Sequence, residues 1–210
     1  MDDYRLQSLN LHRATVIDLG ANIGLVSLRA AALGAAHVYA YEPEPNNYGL
    51  LTRNVASNHL DAVIETFAVA CTDKEQTLDF YLSTDNVAGH SIYGGDRAKI
   101  TVTSTTLPRI FETNRIAACD LLKIDVEGSE FPILYSLPPE LFARIKRIHL
   151  ECHHSSLARH NSRDLTGYLK QQGYEVDTVT SVDRRISRLY CRRPSHSLVD
   201  PLTDLQQSGQ

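Results

Sequence analysis

Six side chains that can accept or move a proton stand at the ends of apolar runs in this chain: Asp18, Glu42, Asp125, Glu127, Glu151 and His153. Carboxylates so placed accept hydrogen bonds from paired hydroxyls, balance a bound cation, or take a proton from a nucleophile. An imidazole adds a base that titrates near neutral pH. The six are far apart in sequence, so a fold must gather them. Parallel strands of an open α/β sheet do this, because ligands bind beyond the carboxyl ends of such strands.

The elements that would position them are readable. Ala14 to Leu19 suits a strand buried on both faces, Gly20 and Gly24 permit a tight turn, and Leu25, Leu28 and Leu33 begin a helical face. A second apolar strand, Val38 to Tyr41, ends at Glu42, eighteen residues past Gly24. A helix with Leu50, Leu51 and Val55 on one face is expected over 44–59, and a third strand over 63–69. Residues 77–82 and 99–103 alternate as half-exposed strands around a polar, glycine-containing loop, Asp85 to Asp96, which is a candidate for ligand recognition. Leu121 to Ile124 reads as a fourth buried strand, 129–135 as a short helix, and 145–150 as a fifth strand. A helix over 162–172 stops at Gly173, and 175–179 with 186–191 form a closing antiparallel pair. The fold class is therefore α/β, a Rossmann-like seven-stranded sheet, mostly parallel with an antiparallel last strand and helices on both faces. Residues 1–193 form one domain and 194–210 a polar tail.

Strand, glycine turn, helix, strand and acid in that order make a nucleotide-cofactor site, with Glu42 placed for ribose hydroxyls. A dinucleotide site wants Gly-x-Gly-x-x-Gly so that the backbone can approach a pyrophosphate. Here the run is Asp18-x-Gly20-x-Asn22-x-Gly24. Asn22 fills the place of close approach and Asp18 adds negative charge. Both suit S-adenosylmethionine, which carries an ammonium and a sulfonium and no phosphate. Asp18 either caps the turn or contacts the methionine ammonium. Pro43 lines the adenine by position, and Ala68, at the end of the third strand, is the candidate for the opposite wall.

Asp18-Leu-Gly-Ala-Asn-Ile-Gly24, Tyr41-Glu-Pro-Glu-Pro-Asn46 and Leu122-Lys-Ile-Asp-Val-Glu-Gly-Ser-Glu130 resemble, in order and spacing, the FkbM family of S-adenosylmethionine-dependent methyltransferases. The resemblance runs from about Thr15 to about His154. It implies the seven-stranded methyltransferase fold and methylation of a hydroxyl on a sugar, small molecule or natural product. Two features depart from the family pattern. Only Met1 to Arg13 precede the first strand, where the family has a longer segment over the cofactor, so the pocket is expected to be more open or covered by another copy in a homo-oligomer. Pro108, in Thr106-Leu-Pro-Arg-Ile-Phe111, stands where the family has an acid.

An aliphatic hydroxyl is a poor nucleophile when neutral, so a base should sit near the transferred methyl. Asp125 either orients the donor's amino acid end or works on the acceptor. Glu127 is a second carboxylate for that chemistry, unless with Glu130 it caps the next helix. If the fifth strand persists, Glu151 and His153 share a face. His153 is then the base, oriented by Glu151 or Asp125, or Asp125, Glu151 and His153 hold a magnesium ion, the less favoured arrangement, or all are ordinary strand-end residues.

With 21 basic and 25 acidic residues and a net charge of −4, the chain is not expected to bind nucleic acid. The aromatic motif of amino-methylating nucleic-acid enzymes is also missing after the fourth strand, where Asp-Val-Glu-Gly stands. No apolar run approaches the ~20 residues that span a bilayer, so no membrane partner is expected. Four widely spaced cysteines and no basic-apolar leader fit free thiols in a reducing cytoplasm. His90 reads as a solvated loop histidine, and Arg184, Arg185, Arg188, Arg192 and Arg193 as the charged face of an outer strand. N-methylation, a noncatalytic scaffold and an NAD-dependent oxidoreductase are the alternatives.

Overall fold

The computed structural model describes residues 4–81, 99–180 and 186–194. Strands β1 (Thr15–Leu19), β2 (His37–Tyr41), β3 (Ile64–Phe67), β7 (Leu121–Ile124), β8 (Arg147–His153), β9 (Glu175–Thr180) and β10 (Ile186–Arg192) make a seven-stranded sheet in the order β3-β2-β1-β7-β8-β10-β9. Pairing is parallel from β3 through β8, and β10 runs antiparallel to both β8 and β9. The expected sheet is present. The arginine-rich β10, however, is not its outer strand: β9 is the edge, and the Arg188 and Arg192 side chains pair with Glu151 and Glu175 on the two neighbouring strands.

Alternation along β1 divides the core. Ile17 and Leu19 pack into one cluster with Leu122, Ile124 and Phe131, while Val16 joins Val38, Leu51, Val55 and Leu121 in the other. Asp18 shares the second face and is fully buried there. Helix α1 (Leu25–Ala32) buries Ser27 and Ala30, with Leu28 and Leu33 half-buried and Leu25 68% exposed. The expected apolar face is therefore displaced, because small residues sit against the strands and the Ser27 hydroxyl donates to Asp18 at 2.6 Å. Helix α2 (Pro45–Ser57) begins where the Glu44 carboxylate accepts the amides of Asn46 and Asn47, and it buries Leu51 and Val55 but leaves Leu50 38% exposed.

The third strand stops at Phe67. Residues beyond it cross into a small second sheet, β4 (Ala70–Thr72), β6 (Lys99–Thr106) and β5 (Thr77–Tyr81), with β6 in the middle. Helix α3 (Leu107–Thr113) follows, its start capped by the Thr106 hydroxyl, with Pro108 in its first turn, where a missing N–H costs nothing. Short helices α4 (Glu130–Ser136) and α5 (Pro139–Phe142) lead to β8, and α6 (Ser162–Gln171) closes at Gly173. Strand β8 extends to His153, further than the sequence suggests. The loop 85–96 with His90, Arg184 and Arg185, and the tail from 195 onward lie outside the described residues.

Candidate active site

Gly20 fixes the geometry. Its φ is +72°, and a Cβ there would lie 1.8 Å from the Asp125 carbonyl oxygen, so the turn after β1 and the residue after β7 meet backbone to backbone. Gly20 and Ala21 both donate to the Tyr41 carbonyl, which ties the same turn to the end of β2. Gly24, with φ +93°, starts α1, and a Cβ would stand 2.7 Å from Leu51 Cδ1. Its part is packing, and it does not line the pocket.

Around this junction Gly20 and Asn22, then Tyr41, Glu42 and Pro43, line a pocket of about 560 Å³, counting the part open to solvent. Val69, just before the small sheet, and Ala70, Cys71 and Phe80 within it line the pocket as well, with Asp125, Val126 and Glu127 from the loop after β7. Ala68 is exposed and does not line it. The strand break after Phe67 turns Ala68 outward and brings the next residues in, so the expected wall is shifted by one.

Glu42 is 5% exposed. One carboxylate oxygen accepts the Asn22 amide at 2.8 Å and the other the Glu44 amide at 2.9 Å. Burial raises its pKa to about 7, against the pull of those two amides. Asn22 reaches the pocket in the left-handed region, φ +53°, with its side-chain oxygen accepting the Ile23 amide. Asp18 does not reach the pocket. Its carboxylate lies 3.1 Å from Lys123 Nζ, and that ammonium also donates to the carbonyls of Leu19 and Gly20 at 3.2 and 2.6 Å. The expected contact to a ligand ammonium is replaced by this internal pair, since Lys123 stands opposite Asp18 in the parallel register. Burial works against the Lys123 charge, and Asp18, with Asp125 and Glu42, outweighs it.

On the other side of the junction Asp125 accepts the Tyr4 hydroxyl at 2.7 Å. Burial, then the Asp125 charge, pushes the Tyr4 phenol up, so it remains a donor. Glu127, φ +53°, faces His153, with Nε2 3.4 Å from a carboxylate oxygen. The fully buried Glu130 holds the opposite side of that ring at 3.2 Å and accepts the His153 and Gly128 amides. Burial lifts Glu127 to about 7 even though His153 pulls it down. Burial disfavours the charged imidazole, but Glu130 first, then Glu127 and Asp125, overcome this and raise His153 to about 9. At neutral pH His153 is thus a cation between Glu130 and Glu127, and its pKa does not lie where a base of pKa near 7 would need it.

Glu151 is drawn away from this group. Arg188 directly opposite on β10 puts two guanidinium nitrogens 2.7 Å from one of its oxygens. The three ligand-bearing groups that do converge are Asp125, Glu127 and His153, within 4.8 Å of one another, so Glu127 takes the place expected of Glu151 in any metal set. Both His153 ring nitrogens already face carboxylates, those of Glu127 and of Glu130. Sequence reasoning missed Tyr4, Lys123 and the part of Glu130 that holds His153. Lys123 had a signal, a lone charge in a buried strand, whereas Tyr4 had none.

Three of the side chains lining the pocket are acidic, and none among the described residues is basic. Such a pocket suits a ligand with hydroxyls and a positive charge, and it repels a pyrophosphate. No described helix is long and apolar enough to cross a membrane.

A model of the methyltransferase FkbM domain matches residues 18–176. The chain is 26% identical over 204 residues to the AMB antimetabolite synthetase AmbE of Pseudomonas aeruginosa, covering 78% of this chain and 10% of that protein. It thus spans about a tenth of the length of the curated relative it matches. Among solved structures, the methyltransferase FkbM of Methylobacillus flagellatus superposes with a TM-score of 0.57 at 17% identity, over 85% of this chain and 43% of that one. TrmK of M. capricolum, solved with S-adenosylhomocysteine, gives 0.56 at 10% identity, over 90% and 68%. Precorrin-6y C5,15-methyltransferase of Geobacter metallireducens gives 0.55 at 12%, over 91% and 86%. At these identities the likeness is one of fold.

Proposed function

The chain belongs to the FkbM methyltransferase family, and we propose that it is an S-adenosylmethionine-dependent O-methyltransferase of a small-molecule, sugar or natural-product hydroxyl, with residues 1–193 as its catalytic unit. The observation that carries this reading is the charge of the pocket around the glycine turn, three acidic side chains and no basic one among the described residues. The kinship to an antimetabolite synthetase supports a natural-product acceptor, and four buried unpaired cysteines support a cytoplasmic setting.

Glu42 receives the ribose hydroxyls, its orientation set by two backbone amides. Pro43 and the small-sheet residues up to Phe80 enclose the base, and Asp125, steadied by Tyr4, faces the cationic end. Bound S-adenosylmethionine supplies an electrophilic methyl group on a sulfonium. Glu127 is the general base. Its pKa of about 7 leaves a substantial carboxylate fraction at neutral pH, and His153, protonated and fixed by Glu130, holds that carboxylate in place. Asp18 and Lys123 act through the backbone, holding the carbonyls of the glycine turn.

Calorimetric titration with S-adenosylhomocysteine, with and without magnesium, is the test. Micromolar binding that falls at least about tenfold in Glu42→Ala is expected, and binding of NAD instead would overturn the reading. A Glu127→Gln variant should keep that affinity and lose roughly 10²- to 10⁴-fold in kcat.

A further inference from the structure

Glu127 lines two pockets. Beyond the one already described lies a second, of about 510 Å³ counting the part open to solvent, which Glu127 shares with His153, His154, Leu157 and His160. Its walls are fixed in advance. His153 is held between Glu127 and Glu130, and His154 Nε2 lies 3.0 Å from the Ser187 hydroxyl. The His160 ring stacks on Phe131 with centroids 4.4 Å apart and planes 23° apart. The turn between them is closed by the Ser155 amide donating to the His160 carbonyl and the His160 amide to the Leu157 carbonyl. At the rim Leu157 is 53% exposed, one of four large apolar side chains left so open among the described residues.

The charges are one-sided. No lysine or arginine lines this pocket among the described residues, and the His153 imidazole already faces two carboxylates. A phosphate or carboxylate placed here would face Glu127, while the nearby His153 is already engaged by Glu127 and Glu130, and like charges brought together cost affinity. A ring with a carbon face meets flat imidazole and leucine instead.

We propose that this second pocket is the acceptor subsite and that its ligand is an uncharged ring alcohol, packed against Leu157 and His160 with its hydroxyl directed to Glu127. The assignment rests on the methyltransferase reading, since Glu127 is what joins the subsite to the donor pocket. Leu157 is then a specificity-determining residue that touches acceptor and never donor.

The test follows the imidazole resonances of His154 and His160 by NMR in the full chain saturated with S-adenosylhomocysteine. Methyl β-D-glucopyranoside and tyrosol are titrated to millimolar concentration, with glucose 6-phosphate and phenyl phosphate as charged counterparts. At least one neutral probe should shift both rings, and its phosphorylated counterpart should bind at least about tenfold more weakly. The sugar and phenol arms tell which ring the subsite takes. Leu157→Trp, at an exposed position, should weaken the neutral probe at least about tenfold while its affinity for S-adenosylhomocysteine, measured by calorimetry, stays within about twofold. No shift with either neutral probe, equal or tighter binding of the phosphates, or shifts unchanged in Leu157→Trp would each overturn the inference. If the wild-type chain does not bind S-adenosylhomocysteine, the donor reading fails, and the same titrations without it still report on the pocket. Tight donor binding with silent histidines fails the subsite alone.

Discussion

The two halves of the site satisfy their carboxylates differently. In the half built by β1, α1 and β2, Glu42 is held by main-chain amides, one of them two residues away. In the half built by β7 and β8, Glu130 also takes main-chain amides, but the carboxylates gain side-chain partners from distant parts of the chain: Tyr4 on Asp125 from 121 residues away, Arg188 on Glu151 from 37, and His153 against Glu130 from 23. Backbone amides are carried by any sequence that makes the turn, so the first half is fixed by the motif itself. Side-chain partners must be supplied one by one, so the second half is where members of one fold diverge in chemistry. Asp18 and Lys123 join the halves.

Removing that joint should have the largest effect. Lys123→Met leaves Asp18 buried without a counter-charge and removes the ammonium that donates to the Leu19 and Gly20 carbonyls, which should cost about 3–5 kcal/mol in urea unfolding. Asp18→Asn combined with Lys123→Met should recover much of the loss, because neither charge then remains uncompensated. Equal losses in the single and double variants would mean that the pair does not join the halves.

Stability against pH separates the halves. Glu42 is raised from 4.5 to about 7 and His153 from 6.5 to about 9. In both cases the folded state binds the proton more tightly than the unfolded chain, so stability falls as pH rises. The Glu42 contribution fades between about 4.5 and 7, with Glu127 alongside it. The His153 contribution is full below about 6.5 and is lost as pH passes about 9. Each is on the order of 3 kcal/mol. Urea unfolding across that range should show both limbs, with Glu42→Gln flattening the acid one and His153→Asn the alkaline one. A wild-type profile level from 6.5 to 9 would show that the imidazole is not held as a cation.

The same division explains what the sequence disclosed. The mostly parallel seven-stranded sheet, the glycine turn and the places of Glu42 and Pro43 in the pocket wall were legible because buried runs, a positive-φ glycine and a strand-end acid are local signals. Asp18 was misjudged because its partner lies on another strand, 104 residues further on from the Leu19 carbonyl that this partner also holds. Glu151 was misjudged for the same reason, as only the β8–β10 register places Arg188 beside it. Ala68 failed on a different point: nothing local says that a strand ends at Phe67 when the apolar run continues to Val69.

Tyr4 is the case with no signal, and the change that tests it is the smallest. It precedes the region matched by the family model, and it reaches Asp125 only because Leu6 and Leu11 bury their side chains in the β1 core cluster and its own carbonyl meets His149 Nδ1 at 2.7 Å. Tyr4→Phe keeps the ring over Lys123 and deletes one hydrogen bond to a charged group, worth about 1.5 kcal/mol at a half-buried site. If Tyr4 steadies Asp125 toward the donor, affinity for S-adenosylhomocysteine should fall roughly tenfold or less, with Glu127-dependent chemistry little changed. A loss confined to kcat would instead move Asp125 to the acceptor side and make it, with Glu127, part of the proton transfer.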